Sequence, residues 1–222
     1  MDPHKICFIW CVNDEAWFSE SERYVDSLRV PKGFTVEKRC IQGAKMMTAG
    51  YNEGMKKSDA KYKIYLHQDV LILHRDFLID VLSLFQKEPK VGMIGMVGVT
   101  HIPENGIWWD GEEKVGQVYD SHIGRMELLS FARREGDITK VEAVDGLLIA
   151  TQYDLPWRED LFDGWHFYDL SQSMEFIRAG YDVAVPQQKT PWTMHDCGVV
   201  NVQNGFNEAR QCFVAHYLQE SS

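Results

Sequence analysis

The sequence predicts an α/β fold: a mostly parallel central sheet with helices on both faces. Three observations carry this. Apolar runs alternate with helix-period stretches in the order βαβαβ over the first hundred residues, an order that builds a parallel sheet through crossover helices. The runs themselves, such as KICFIWCV, are almost continuously apolar, as buried strands are. The length of 222 residues suits one α/β domain.

The elements follow in order. KICFIWCV (5–12) is the first strand. Residues 14–28 place Trp17, Tyr24, Val25 and Leu28 on one helical face, with Asn13 or Asp14 as cap. FTVEKRCI (34–41) is the second strand, and 44–57 is a helix with Met47, Tyr51 and Met55 four residues apart. KYKIYLHQDVLIL is the third strand and its exit, RDFLIDVLSLFQKE (75–88) an amphipathic helix stopped by Pro89, and VGMIGMVGVT (91–100) a glycine-punctuated strand. Residues 101–140 lose the period and form a loop-rich insertion with short strands. VEAVDGLLIAT (141–151) returns to strand. Residues 162–180 open as a turn and become a helix with Phe167, Leu170, Met174 and Ile177 on its apolar face, ended by Gly180. YDVAVPQ is a strand, KTPWTMHDCG a loop, and GFNEARQCFVAHYLQE (205–220) a closing helix with Phe206, Ala209, Phe213 and Tyr217 inward.

Composition narrows the function. A net charge of −10 argues against nucleic-acid binding, which needs basic surface. It also means that an anionic ligand requires local cations or a bound metal. Five cysteines without a CxxC pair argue for reduced thiols rather than a disulfide framework. The N-terminal apolar run is too short to span a membrane and no cleavage site follows it. The expectation is a cytoplasmic protein without an integral membrane segment; peripheral membrane attachment and homo-oligomerisation stay open.

Open parallel sheets bind ligands beyond the carboxyl ends of their strands. Polar residues fall at four such ends: Asn13 and Asp14, Gln42 with Gly43, His67-Gln68-Asp69, and Asp145-Gly146. Asp69 poses the sharpest question, because a carboxylate among apolar residues is costly unless paired or bound to metal. Asp14, Asn13 and Gln42 suit contacts to a nucleobase or ribose, and equally suit helix capping and turns. Trp108 and Trp109 could stack on a sugar ring or pack locally.

The order of motifs resembles a family-2-type glycosyltransferase of the GT-A, Rossmann-like fold, close to the short bacterial glycosyltransferase-like sequences. MMTAGYNEGMKKSDAKYKIYLHQDVLI is similar to that family's asparagine-bearing helix leading into a strand that ends in Asp-x-Asp. Asn52 matches the asparagine and Asp69 the second aspartate, while His67 stands where the first would be. VDGLLIATQYDLPWREDLFDGWHFYDLSQSMEFIRAGYDVAV is similar to its glycine strand, acidic helix start and following strand; TMHDCG carries a late histidine. The resemblance implies a single GT-A-type domain over 1–222. It implies sugar transfer, with inversion, from a nucleotide-diphosphate sugar, a UDP-sugar first, to a carbohydrate or other hydroxyl acceptor, in a context such as surface polysaccharide synthesis. Asp69 and His195 would bind Mn²⁺ or Mg²⁺ with the diphosphate, and Mn²⁺ accepts imidazole as well as carboxylate. Asp169 would be the catalytic base. His67 would touch ribose or the metal. Asn52, Asp145 and Gly146 would shape the donor site, and Trp165 and His166 would flank the acceptor. Two rivals stand beside this reading: an inactive nucleotide-sugar or carbohydrate-binding protein, and a metal-dependent hydrolase.

Overall fold

The structure, a computed structural model, describes residues 1–200 and 202–219. Its centre is a seven-stranded sheet. The first half is wound as the βαβαβ order requires. β1 (Asp2–Val12) leads through α1 (Glu15–Asp26) to β2 (Thr35–Gln42), and through α2 (Met47–Lys56) to β3 (Ala60–Leu66); β2 and β3 both lie parallel to β1. Asp14 caps α1, its carboxylate accepting from the Ala16 and Trp17 amides.

β1 shows why its run is apolar throughout. Ile6, Phe8 and Trp10 point to the core that includes α3 (Phe77–Lys87), while Cys7 and Ile9 face the core of α2. Both faces are covered, so neither set of alternating positions can be polar. Helix α2 approaches β1 closely because two glycines face it. A Cβ on Gly50 would stand 2.3 Å from Cys11 Sγ, and one on Gly54 2.4 Å from Ile9 Cγ2.

Beyond β3 the chain departs from a simple parallel winding. The 91–100 run bends at Met96 into β5 (Val91–Gly95), in the central sheet, and β6 (Val97–Val99), outside it. The 101–140 segment contributes β7 (Lys114–Asp120), β8 (Glu127–Ser130) and β9 (Ile138–Val141). The 141–151 run divides into the end of β9, β10 (Ala143–Val144) and β11 (Leu148–Thr151), with a turn at 145–147. β11 enters antiparallel between β3 and β5, so the central sheet, ordered β2-β1-β3-β11-β5-β12-β9, is mixed. β12 (Asp182–Pro186) continues parallel beside β5. A second sheet of six strands runs β10-β6-β7-β13-β4, with β8 on β7; β4 is Val70–Ile72 and β13 is Thr193–His195.

Helix α4 begins only at Tyr168 and ends at Arg178. Of its expected apolar face, Phe167 and Leu170 are buried and Met174 packs against the core, whereas Ile177 is exposed and Phe176 is buried in its place. The early turns of α4 sink between elements, and the polar Ser171, Gln172 and Ser173 are buried with them. The closing helix α5 (Phe206–Phe213) continues as a π-helical segment over Val214–Gln219, with Phe206, Phe213 and Tyr217 buried. Its expected last residue, Glu220, lies outside the described residues. Among the described residues no helix is long and apolar enough to cross a membrane.

Gly54→Ala tests the close packing of α2. Alanine is the better helix former by about 1 kcal/mol, yet its methyl has no room beside Ile9. The variant is expected to lose about 1–3 kcal/mol in urea unfolding.

Candidate active site

Three neighbouring strands of the second sheet bring distant residues into one row. β13 pairs in parallel with β7, His195 lying opposite Asp120, and antiparallel with β4, His195 lying opposite Val70. Asp69 directly precedes β4, and its carbonyl accepts from the Asp196 amide at 3.0 Å. The His195 ring therefore sits between two acids. Its Nδ1 is 3.0 Å from Asp120 Oδ2, and its Nε2 is 3.5 Å from Asp69 Oδ1. His67, just past β3, joins from the other side, with Nδ1 3.3 Å from His195 Nε2. The His67 Nε2 is hydrogen-bonded to the Tyr168 hydroxyl.

The charges follow from these contacts. Burial opposes a charge on His195, but Asp120 and Asp69 overcome it and hold the imidazolium well above the ordinary histidine range. Burial and the neighbouring His195 charge depress His67 to about 4, so it is neutral at pH 7. Burial works against ionisation of Asp69, yet the adjacent His195 keeps it low, at about 2. One oxygen of this carboxylate, Oδ1, is buried and accepts no hydrogen bond. A buried ionised oxygen whose nearest cationic neighbour, His195 Nε2, stands 3.5 Å away without a well-formed hydrogen bond is one that a metal ion could satisfy once that ring is neutral. Ligand atoms from His67, Asp69 and His195 lie within 4.8 Å of one another. Two imidazole nitrogens and a carboxylate suit Mn²⁺ better than Mg²⁺, which prefers oxygen alone. His67 thus falls among the possible metal ligands, with its other nitrogen taken by Tyr168.

Asp169 approaches from α4. Phe167, before the helix, has φ of 60°, the left-handed region, and is the only described non-glycine residue with positive φ. Such a conformation costs roughly 1–3 kcal/mol for an ordinary residue and recurs at functional sites. It turns the chain so that Tyr168 and Asp169 open the helix facing the 145–147 turn. Asp169 Oδ2 accepts from the Gly146 amide at 2.8 Å, and Asp145 Oδ1 accepts from the Leu147 amide at 2.9 Å. The Leu147 carbonyl accepts from the His67 amide at 3.1 Å. Gly146 is obligatory here, since a Cβ would lie 2.0 Å from the Tyr168 hydroxyl oxygen. One short turn therefore joins Asp169 to His67, and through His67 to His195 and Asp69. Burial, reinforced by the Asp145 charge, raises Asp169 to about 7. Burial also raises Asp145, which is half-buried.

The remaining expected residues divide. Asn13 and Asp14 stand at the mouth of β1, and their amides donate to Gln68 Oε1 at 2.9 and 3.0 Å. Gln42 at the end of β2 donates to Glu15. Asn52 needs correction as a substrate contact. It is 2 % exposed, and its amide clamps both backbone groups of Trp157, each at 2.9 Å. Trp165 is 39 % and Trp109 44 % exposed, whereas Trp108 is buried. The His166 ring bonds Asn204 Oδ1 at 2.6 Å and packs edge-on against Phe206, which also carries Trp109. Asp120 and Tyr168 were missed by sequence reasoning, and Gln68 was given no role of its own. Gln68 sits inside the His67-Gln68-Asp69 triplet and was legible by position. Asp120 lies in the unpatterned 101–140 segment, where nothing announces its pairing with β13.

The glycosyltransferase-like family model matches residues 7–217. The chain belongs to this family. No curated protein matches it significantly. Among solved structures it is similar to TarS 1–349 of S. aureus in complex with UDP, at 12% identity and TM-score 0.59, covering 95% of this chain and 64% of that one. It is likewise similar to the mannosyltransferase PcManGT from Pyrobaculum calidifontis in complex with GDP-Man and Mn²⁺, at 12% identity and TM-score 0.57, covering 98% and 62%. GalNAc-T7 with UDP, GalNAc and Mn²⁺ aligns at 12% identity and TM-score 0.60, covering 89% and 45%. The fold of this family member is thus of the GT-A glycosyltransferase type. The chain spans under two thirds of the length of each of these neighbours.

The raised Asp169 has a signed consequence for stability. Native Asp169 keeps its proton to about pH 7, while an aspartate in the unfolded chain loses it near 3.9. The native state binds more protons in that window, so this group's contribution to stability falls as pH rises through it. Asp169→Asn, which retains an acceptor for the Gly146 amide, is expected to melt above the wild type at pH 8. The gap should shrink toward pH 5 in parallel thermal melts.

Proposed function

We propose that this family member transfers a sugar, with inversion, from a nucleoside-diphosphate sugar to an acceptor hydroxyl. The observation that carries the reading is Asp169, a carboxylate with proton affinity near neutrality, joined by one turn to a metal-competent group of two histidines and an aspartate. A base whose pKa lies near the working pH is the efficient one.

Asp69, His195 and His67 would hold a divalent ion, with Mn²⁺ favoured over Mg²⁺. That ion would supply countercharge to the diphosphate, which an acidic protein otherwise lacks. Asp169 would take the acceptor's hydroxyl proton as its oxygen bonds the anomeric carbon. The bond from that carbon to the diphosphate oxygen breaks, and the nucleoside diphosphate leaves with the electron pair. Asp145 would keep Asp169 basic through the proximity of its charge, and the Gly146 amide would hold the carboxylate in place. Asn13, Asp14 and Gln42, at the ends of β1 and β2, would border the nucleoside; Trp165 and His166, next to Asp169 in sequence, would border the acceptor. The solved neighbours carry UDP, or GDP-Man with Mn²⁺, and a UDP-sugar is the first donor to try. In this reading residues 1–222 act as one GT-A-like unit, working in the cytoplasm or at a membrane face, with a carbohydrate as the first acceptor class.

A thermal-shift panel of UDP-, GDP- and dTDP-sugars with Mn²⁺ or Mg²⁺ is expected to give its largest rise with a UDP-sugar and Mn²⁺. With the donor so found, kcat/KM should fall as pH drops below about 7, because Asp169 then gains its proton. Asp169→Asn should lower kcat by about 100- to 10,000-fold. A variant that keeps wild-type turnover removes Asp169 as the base. Binding without turnover in the wild type would favour a nucleotide-sugar-binding protein, and phosphate release without acceptor a hydrolase.

A further inference from the structure

We propose that Asp120, which belongs to none of the motifs carrying the family resemblance, is the positioning residue for His195: it fixes the proton on Nδ1, so that Nε2 presents its lone pair to a divalent ion shared with Asp69 and His67. The inference rests on the metal-assisted reading above and names a residue of that site.

Sheet register makes the contact. Asp120 and His195 are directly opposed on the parallel strands β7 and β13, and side chains so paired share a face. The pairing is reinforced at its end, where the Ser121 amide donates to the His195 carbonyl at 3.1 Å and the Gly198 amide to Ser121 Oγ at 2.8 Å. Asp120 and His195 are both buried, so their hydrogen bond at 3.0 Å is shielded from water.

The two oxygens of Asp120 have different partners. Oδ1 accepts from the His122 amide at 2.8 Å and lies 2.7 Å from His122 Nδ1, with the Cys197 thiol at 3.9 Å. Oδ2 is left for His195 Nδ1. An ionised carboxylate only accepts, so Nδ1 must be the donor. The free ring is charged; a metal ion binding there displaces the Nε2 proton to solvent, and with Nδ1 keeping its proton the lone pair then belongs to Nε2. That is the nitrogen lying 3.5 Å from the donorless Asp69 Oδ1 and 3.3 Å from His67 Nδ1. Histidines that ligate metals commonly donate their other N–H to a carboxylate, which sets tautomer and orientation.

This arrangement predicts the effect of an isosteric change. In Asp120→Asn the amide oxygen must stay on the His122 side, where a backbone N–H requires an acceptor. The amide NH₂ then faces His195 Nδ1, which has to accept. The proton moves to Nε2 and blocks the lone pair, as the corresponding substitution does to the histidine of a Ser-His-Asp triad.

The experiment titrates wild type and Asp120→Asn with Mn²⁺, reading free Mn²⁺ by electron paramagnetic resonance without donor or acceptor. The variant is expected to bind about 10- to 100-fold more weakly. A second measurement needs no variant: ¹⁵N-histidine NMR of the Zn²⁺-loaded wild type should show His195 protonated at Nδ1 and coordinated through Nε2. A folded Asp120→Asn protein with wild-type Mn²⁺ affinity overturns the assignment and leaves the metal reading intact. So does a wild type protonated at Nε2. A wild type that binds no Mn²⁺ removes the metal reading together with this one. If Asp120→Asn fails to fold, the wild-type tautomer decides.

Discussion

The His195 ring held between Asp120 and Asp69 is the interaction on which the site depends. Asp69, Asp120, Asp145 and Asp169 all approach one region of a protein whose net charge is −10. Carboxylates brought together out of water repel one another and pay for lost hydration. His195 is the cation that relieves two of them, and they in turn keep it charged. The two acids it does not contact, Asp145 and Asp169, are the two whose proton affinity is raised. The site divides accordingly: a cluster able to hold a metal ion on the β4 side, and a carboxyl group of raised proton affinity on the α4 side.

The turn at 145–147 lets these two sides coexist. Its amides satisfy Asp145 and Asp169, and its Leu147 carbonyl takes the His67 amide. The left-handed Phe167 and the missing side chain of Gly146 allow α4 to press Tyr168 against His67. Strain at the start of α4 is thus located where it aims two polar side chains, a placement that packing alone would not favour.

Much of this was legible in the residue order. Asp69 was marked by an acid at a strand end, Asp169 and His195 by their places in the motifs that resemble the family, and the fold brings the three into one connected group. His67 was marked as a departure from the family pattern, and its ring lies beside His195 and Asp69. Asn52 was misread because a buried asparagine holding a neighbour's backbone leaves the same sequence trace as one holding a ligand. Trp108 and Trp109 are adjacent, yet one is buried beside Phe131 and the other is exposed. Only the path of the backbone separates them.

The sequence by itself determined the local elements and the α/β class, because hydrophobic period and helix-capping chemistry act over a few residues. It also determined which polar residues stand at strand ends. The tertiary structure alone decided that β11 enters antiparallel, that the 91–100 and 141–151 runs divide between two sheets, and that Asp120 meets His195 across 75 positions of chain. Strand partners are chosen by long-range packing and register, and a side chain that takes its role from a partner strand carries no mark of it in its own neighbourhood.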